Sequence, residues 1–270
     1  QVTSWTNIVT MAIDLLSDPD VESFDLSTLQ NIGGGGAAMP EAVSDKLFNL
    51  TGLRYMEGYG LSETIAATHI NPPEHPKKQC LGIPVFDTDS RIINEDTGEE
   101  LGVGEVGEIV SHGPQVFQGY WNRPEETEKA FIELDGKRFF RTGDMGYYDD
   151  EGYFFIVDRV KRMINASGFK VWPAEVESLM YRHPAIQESC VISAPHERRG
   201  ETVKACVGLA KDQKGRVSEN DIIEWCKEQM AAYKVPQIVE FRDELPRSPT
   251  GKVMWRSLQE EEWAEAKKQA

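Results

Sequence analysis

The sequence predicts a mixed chain: an α/β piece, then a small β-barrel or β-layer, then a small α+β domain. Three observations carry this expectation. Helical periodicity and a glycine-punctuated apolar run alternate up to Leu50, short strands broken by turn residues fill Leu81 to Val157, and beyond a basic joint strands flank a helix. The joint, DRVKRMINASGFKVWPAEVE at 158–177, gathers Arg159, Lys161, Arg162 and Lys170 around a glycine-bearing turn. It divides the chain into an expected domain over 1–158 and another over 159–270. The charge distribution points the same way. Of the net −16, residues 1–160 carry 11 Lys+Arg against 28 Asp+Glu, whereas residues 161–270 carry 18 against 17.

The elements follow in order. From Thr3 to Leu16 the apolar spacing fits a helix, ended by the Asp-Pro-Asp cluster at 18–20. Leu29 to Ile32 reads as a short buried strand stopping at Gly33–Gly36, and Pro40 opens a helix to Leu50. A glycine run after a strand admits a ligand close to the backbone, or is simply a tight turn. Asp96–Gly98 sits at the tip of a hairpin, and EVGEIV at 105–110 alternates like a half-buried strand. PEETEKAF and PAEVESLMYRH read as helices, the second started by Pro173, because proline in a first turn gives up an N–H that would lack a partner anyway. Strands near Glu188–Ser193 and Val203–Leu209 flank a helix over 218–230, with Ser218 as cap and Asp221 complementing the helix dipole. From Ile238 a strand leads into a proline-glycine loop ending at Lys252, and a charged tail follows.

Composition bounds the function. Forty per cent hydrophobic and 27% charged residues are ordinary for a globular chain, so disorder and fibrous repeats are set aside. No apolar run approaches the roughly 20 residues that span a bilayer, and the default expectation is a soluble cytoplasmic protein. The acidic surface opposes nonspecific nucleic-acid binding, which depends on neutralising phosphates with Lys and Arg, yet leaves room for one phosphorylated small molecule in a local basic cleft. Cys80, Cys190, Cys206 and Cys226 form no CxxC pair and read as small buried hydrophobes rather than a zinc site.

Five motifs in fixed order resemble the adenylate-forming (AMP-binding) superfamily of acyl-CoA synthetases, luciferases and peptide-synthetase adenylation domains. GYGLSET (58–64) resembles its nucleotide and magnesium motif, EVGEIVSHGPQVFQGY (105–120) its barrel segment and FFRTGD (139–144) its ribose motif. The 158–177 joint resembles the hinge and following loop, and PRSPTGK (246–252) the terminal lysine motif. The superfamily's upstream phosphate loop, of the form TSGTTGxPK, does not occur in these 270 residues. The sequence is therefore expected to be the C-terminal half of a larger enzyme, an expectation to which Gln1 in place of an initiator methionine adds.

The resemblance implies a two-step reaction: a carboxylate attacks the α-phosphate of ATP to give an acyl-adenylate and pyrophosphate, then the thiol of coenzyme A displaces AMP. Gly35, Gly36 and Ala37, at the end of the glycine run, would meet the adenine edge through backbone groups. Tyr59 would present its ring to adenine beside Gly60, or is a packed tyrosine at a strand end. Ser62 stands where the family more often has threonine, and its hydroxyl would donate to the α-phosphate. Glu63 is a hard oxygen ligand for Mg²⁺, which needs only one or two carboxylates beside phosphates and water. Asp144 has two acceptor oxygens to match two ribose hydroxyls, or is a turn residue, and Arg159 would be a second ribose contact. Lys252 would bridge the attacking carboxylate and the α-phosphate, although without its context a lysine after PTG is a solvated loop residue. Lys161 would be the hinge, and Gly168 would line the pantetheine channel, where a side chain would block the thiol. Lys170 and Arg162 are candidates for coenzyme A phosphates, or belong to a solvated basic face.

The expected whole is an ATP-dependent acyl-CoA ligase for a fatty acid, inactive as this half alone. Its partners are a small carboxylic acid, ATP, Mg²⁺ and coenzyme A, with no nucleic acid. Ligases for aryl or amino acids, and a catalytically silent nucleotide-binding or interaction fragment, are the alternatives. The oligomeric state is not legible in the sequence.

Overall fold

The chain starts as a strand. In the computed structural model, which describes residues 2–196, 200–249 and 251–269, β1 (Ser4–Asn7) lies parallel to β2 (Asn31–Gly35). Only Val9–Leu16 is helical (α1), so the helix expected from Thr3 is corrected at its first turn. Trp5 and Thr6 pair with Ile32 and Gly33, and this cross-strand pairing overrides a local helical spacing. Gln1 lies outside the described residues.

The glycine run is also part of a strand and not its end. β2 is sandwiched between β1 and β3 (Tyr55–Tyr59), both parallel to it. A Cβ on Gly34 would stand 1.7 Å from the Asn7 carbonyl oxygen, and one on Gly35 would stand 2.3 Å from that of Gly58. The backbones approach too closely for any side chain. Gly36, at φ 88, is where the chain leaves the sheet. It continues into α2 (Glu41–Thr51), which ends at left-handed Gly52, whose N–H donates to the Phe48 carbonyl. β4 (His69–Ile70) and β5 (Ile83–Pro84) complete this sheet antiparallel, in the order β1-β2-β3-β4-β5.

The second sheet is an antiparallel layer of β6 (Asp89–Ile93), β7 (Gly107–His112), β8 (Phe131–Leu134), β9 (Lys137–Tyr148) and β10 (Phe154–Arg159), with α3 (Pro124–Lys129) leading into β8. Its order is β10-β9-β7-β6, and β8 pairs with the start of β9. Asn94 Oδ1 accepts from the Asp96 and Thr97 amides, so the expected hairpin tip is an Asx turn, but the long partner of β6 is β7. β7 does not alternate: Gly107 to Ser111 are all buried. Ile109 packs with Tyr59, Leu81, Ile92 and Phe154 on one face, and Val110 with Ile93 and Phe139 on the other. A strand covered on both faces reads as a continuous apolar run.

The chain divides into two compact units, Gln1–Val160 and Lys161–Ala270. The second holds β11 (Ile164–Ala166), β12 (Phe169–Val171), α4 (Pro173–Met180), β13 (Ile186–His196), β14 (Gly200–Leu209), α5 (Glu219–Gln229), β15 (Ile238–Phe241) and α6 (Trp255–Gln269). β13 and β14 form its long antiparallel ladder, and β15 joins β14 in parallel. Ile164, Val176, Met180, Val191, Val207 and Ile222 fill one face of the sheet. Ser218 and Asp221 form a reciprocal capping box on α5, each satisfying the other's amide. The charged tail is corrected to a helix, α6. Leu258 buries against Cys190, Ile192 and Cys206, while Trp263 Nε1 donates to the Ser193 carbonyl at 3.2 Å and Lys204 pairs with Glu262. Much of its docking is polar, which concealed it from hydrophobic periodicity. All four cysteines are free and buried.

Candidate functional site

RTGD forms a bulge. Between the β7–β9 pairs Val110–Arg141 and Glu108–Met145, β7 spends Ile109 alone while β9 spends Thr142, Gly143 and Asp144. Gly143 sits at φ 70, with open space where a Cβ would be, so backbone conformation and not crowding calls for glycine there. Thr142 Oγ1 donates to the Ile109 carbonyl at 2.7 Å and accepts from the Asp144 amide at 3.1 Å. Buried Glu108 holds the outer side: Oε1 accepts from the Gly143 amide at 3.0 Å, and Oε2 accepts from Arg141 Nε at 2.8 Å and Nη2 at 2.6 Å.

The bulge carries the Asp144 carboxylate against two partners on other strands. Asp144 is 1% exposed. Its Oδ2 accepts from the Tyr59 hydroxyl at 2.6 Å, and Arg159 Nε stands 2.9 Å from Oδ1. Arg159 faces Asp144 directly in the β9–β10 register, yet no aligned hydrogen bond reaches Oδ1. The carboxyl is held above the usual carboxylate range because burial outweighs the Arg159 cation and the Tyr59 hydrogen bond. Burial first, then the Asp144 charge, pushes the Tyr59 hydroxyl far up as well.

Tyr59 ends β3 and Gly35 ends β2, so Gly36, Ala37 and Gly60 all lie beyond the carboxyl ends of neighbouring parallel strands. In open α/β sheets ligands bind outside such ends. Gly36, Ala37 and Gly60 are exposed, whereas Tyr59 is buried, with His69 tilted 5.6 Å from its ring. Tyr59 is packed at the end of β3, and its hydroxyl adds a link to Asp144 that the sequence did not suggest.

Ser62 is exposed on a 3₁₀ turn, Ser62–Thr64, with Glu63 half-buried beside it. Glu63 is tied to the 105–120 segment twice: its carbonyl accepts from the Phe117 amide at 2.7 Å, and its Oε1 accepts from the Tyr120 hydroxyl at 2.9 Å. Phe117 itself stacks on Phe131 and meets Phe140 edge-on, so Tyr120 is presented from an aromatic base. Among the described residues no group of three or more His, Cys, Asp or Glu gathers as a metal cage. A single half-exposed carboxylate is nevertheless what Mg²⁺ takes from a protein when phosphates and water complete its shell. Glu63 fits that donor set.

The remaining predicted residues belong to the second unit. Lys161 is exposed in the turn Val160–Arg162. Arg162 is half-buried, and its guanidinium pairs with Glu177, whose Oε1 also accepts from the Val191 amide at 2.7 Å. Gly168 and Ser167, at φ 88 and 57, form the two-residue turn between β11 and β12, and a Cβ on Gly168 would meet nothing within 4 Å. Lys170 is exposed on β12. Lys252 is exposed on the loop before α6, while Thr250 of the same motif lies outside the described residues. Sequence reasoning missed Glu108 and Tyr120. Glu108 had one signal, an acidic residue directly before the apolar pair Ile109–Val110.

Two family models match the chain: "AMP-binding enzyme" over residues 1–121 and "AMP-binding enzyme C-terminal domain" over residues 175–252. A long-chain-fatty-acid–CoA ligase of Bacillus subtilis (strain 168) is 46% identical over 254 residues, covering 94% of this chain and 44% of that protein. One from Escherichia coli O157:H7 is 37% identical over 260 residues, covering 96% and 45%. Among solved structures, the anthranilate CoA ligase AuaEII in complex with anthranoyl-AMP superposes with a TM-score of 0.90 at 30% identity, covering 98% of this chain and 51% of that one. The chain spans about half the length of the curated relatives it matches.

Proposed function

Because the chain belongs to the AMP-binding enzyme family, we propose that it serves an ATP-dependent acid–thiol ligase, forming an acyl-adenylate from a carboxylic acid and then the coenzyme A thioester. One observation carries the reading: the RTGD bulge presents a buried carboxylate to Tyr59 and Arg159, beside the open ends of β2 and β3. A carboxylate with two oxygens suits a vicinal diol, and incoming ribose hydroxyls take the place of the donors that now engage Asp144. Arg159, 55% exposed at its side chain, is the cover free to move from it. Gly36 and Ala37 offer backbone groups to the base, and Ser62 offers its hydroxyl to the α-phosphate. Mg²⁺, when bound by Glu63, supplies charge neutralisation to the phosphates.

Lys252 is the adenylation lysine: its ammonium offsets the charge that builds on the α-phosphate and the attacking carboxylate, a contact of the kind whose removal costs about 3 kcal/mol. Lys161, at the boundary of the two units, is the hinge, and Gly168 keeps the thiol's path free of side chains. Lys170 remains the basic candidate for a coenzyme A phosphate. The acid is a long-chain fatty acid, by likeness to the curated ligases. An aryl acid is the second reading, which the superposition on an anthranilate ligase favours. Acid-dependent exchange of pyrophosphate into ATP by the full-length protein, with fatty, aryl and amino acids in parallel, tests the proposal. No exchange with any acid, or a preference for amino acids, would sink it.

A further inference from the structure

The loop that carries Lys252 is fastened from inside. Pro246 and Met254 close its neck, the Met254 amide donating to the Pro246 carbonyl at 2.7 Å, and Arg247 bridges Val253 one step further in. Within that neck the Ser248 amide donates to the Lys252 carbonyl at 2.8 Å, the Gly251 amide donates to the Ser248 carbonyl at 2.8 Å, and the Lys252 amide donates to Ser248 Oγ at 3.2 Å. Val253 and Trp255 then anchor the outgoing chain against Cys190, Ile192, Leu245 and Leu258.

One side chain spans the loop. Arg247 Nη1 donates to the Gly251 carbonyl at 3.2 Å, and its Nη2 pairs with Glu188 on β13. Glu188 is 13% exposed at its side chain and Arg247 28%, so the pair is shielded far more than a surface ion pair. Gly251 stands at φ 81 and its carbonyl belongs to the peptide that leads into Lys252. The guanidinium fork thus ties that peptide to the central ladder of the unit, a task for two donors in a fixed plane and not for the point charge of an ammonium.

We propose that Arg247, oriented by Glu188, is a positioning residue for adenylation that fixes the Gly251–Lys252 peptide and so the direction in which the Lys252 ammonium is offered. The proposal rests on the reading of Lys252 as the adenylation lysine. Misplacing a catalytic group by about 1 Å costs on the order of 100-fold, so a partial loosening of its peptide is expected to cost about 10-fold.

The test separates the half-reactions in the full-length protein, with Lys252→Ala as reference. Arg247→Lys is expected to slow single-turnover adenylate formation by about 10-fold or more, with KM for ATP and thioester formation from supplied acyl-adenylate within about twofold. Glu188→Gln, the milder change should the arginine variant fail to fold, is expected to slow the same step less. The charge-swapped pair Glu188→Arg with Arg247→Glu restores an ion pair but leaves the Gly251 carbonyl without its donor. It is expected to stay slow, whereas a purely structural salt bridge would be rescued by the swap. Normal adenylation by Arg247→Lys while Lys252→Ala is crippled overturns the positioning role and leaves the lysine assignment standing. Equal loss of both half-reactions, or rescue by the swap, overturns it as well. Normal adenylation by Lys252→Ala overturns the assignment on which it rests.

Discussion

Asp144 and Lys252 bear the two charges most important to the proposed chemistry, and the chain treats them in opposite ways. Asp144 is 1% exposed, its carboxylate faces Tyr59 and Arg159, and its amide donates to Thr142 Oγ1. Lys252 is exposed, and its amide and carbonyl are both hydrogen-bonded to Ser248. A buried charge is costly unless partners surround it, so the sheet must build them in advance. An exposed ammonium carries no such penalty and needs only a peptide held in place. In the proposed reaction the contrast separates a group that holds the ligand from a group that is offered to it.

The largest effect should come from Lys252→Ala. Adenylate formation by the full-length protein is expected to fall by about 100- to 1,000-fold, the loss typical of removing a charge-stabilising donor, while thioester formation from supplied adenylate persists. Rapid-quench assay of each half-reaction checks this, and equal losses would erase the contrast. Asp144→Asn should weaken AMP binding by about 10- to 100-fold, since a hydrogen bond to a charged group contributes about 1.5–3 kcal/mol. Isothermal titration also provides a pH test. Wild-type affinity should decline as pH falls through the raised Asp144 pKa, where the carboxyl takes up a proton, and the asparagine variant should stay flat.

Glu57 sharpens the comparison, because burial without a cation raises its pKa to about 8 despite a hydrogen bond from the Met39 amide. Between pH 4.5, its ordinary value, and about 8 the folded chain keeps a proton that the unfolded chain releases. The stability that this proton contributes is complete below the lower value and is lost as pH rises to the upper one. Glu57→Gln should therefore flatten the pH dependence of the unfolding free energy, obtained from urea titrations, by up to about 1.4 kcal/mol per pH unit. A slope identical to wild type would mean that Glu57 is ionised in the fold. The smallest change is expected from Ser218→Ala, which removes one half of the α5 capping box and should cost about 1 kcal/mol. Thermal unfolding would measure it, and both half-reactions should be unaffected.

Residue order alone was enough for the five motifs, the Ser218 cap, the helix starts at Pro124 and Pro173, and the change from acidic to balanced charge near the joint, because each is a property of neighbours in the chain. Tertiary pairing decided the rest. β1 displaced a helical turn because β2 lay beside it; Gly33–Gly35 became a strand because only bare backbone fits between β1 and β3; α6 formed over a sheet through polar contacts that carry no hydrophobic period. The same holds for the site: Asp144 meets Tyr59 from 85 positions away and Arg247 meets Glu188 from 59, separations across which no local pattern in a sequence can report. Short-range chemistry determines which groups a motif supplies, and only the packing of distant strands decides what they touch.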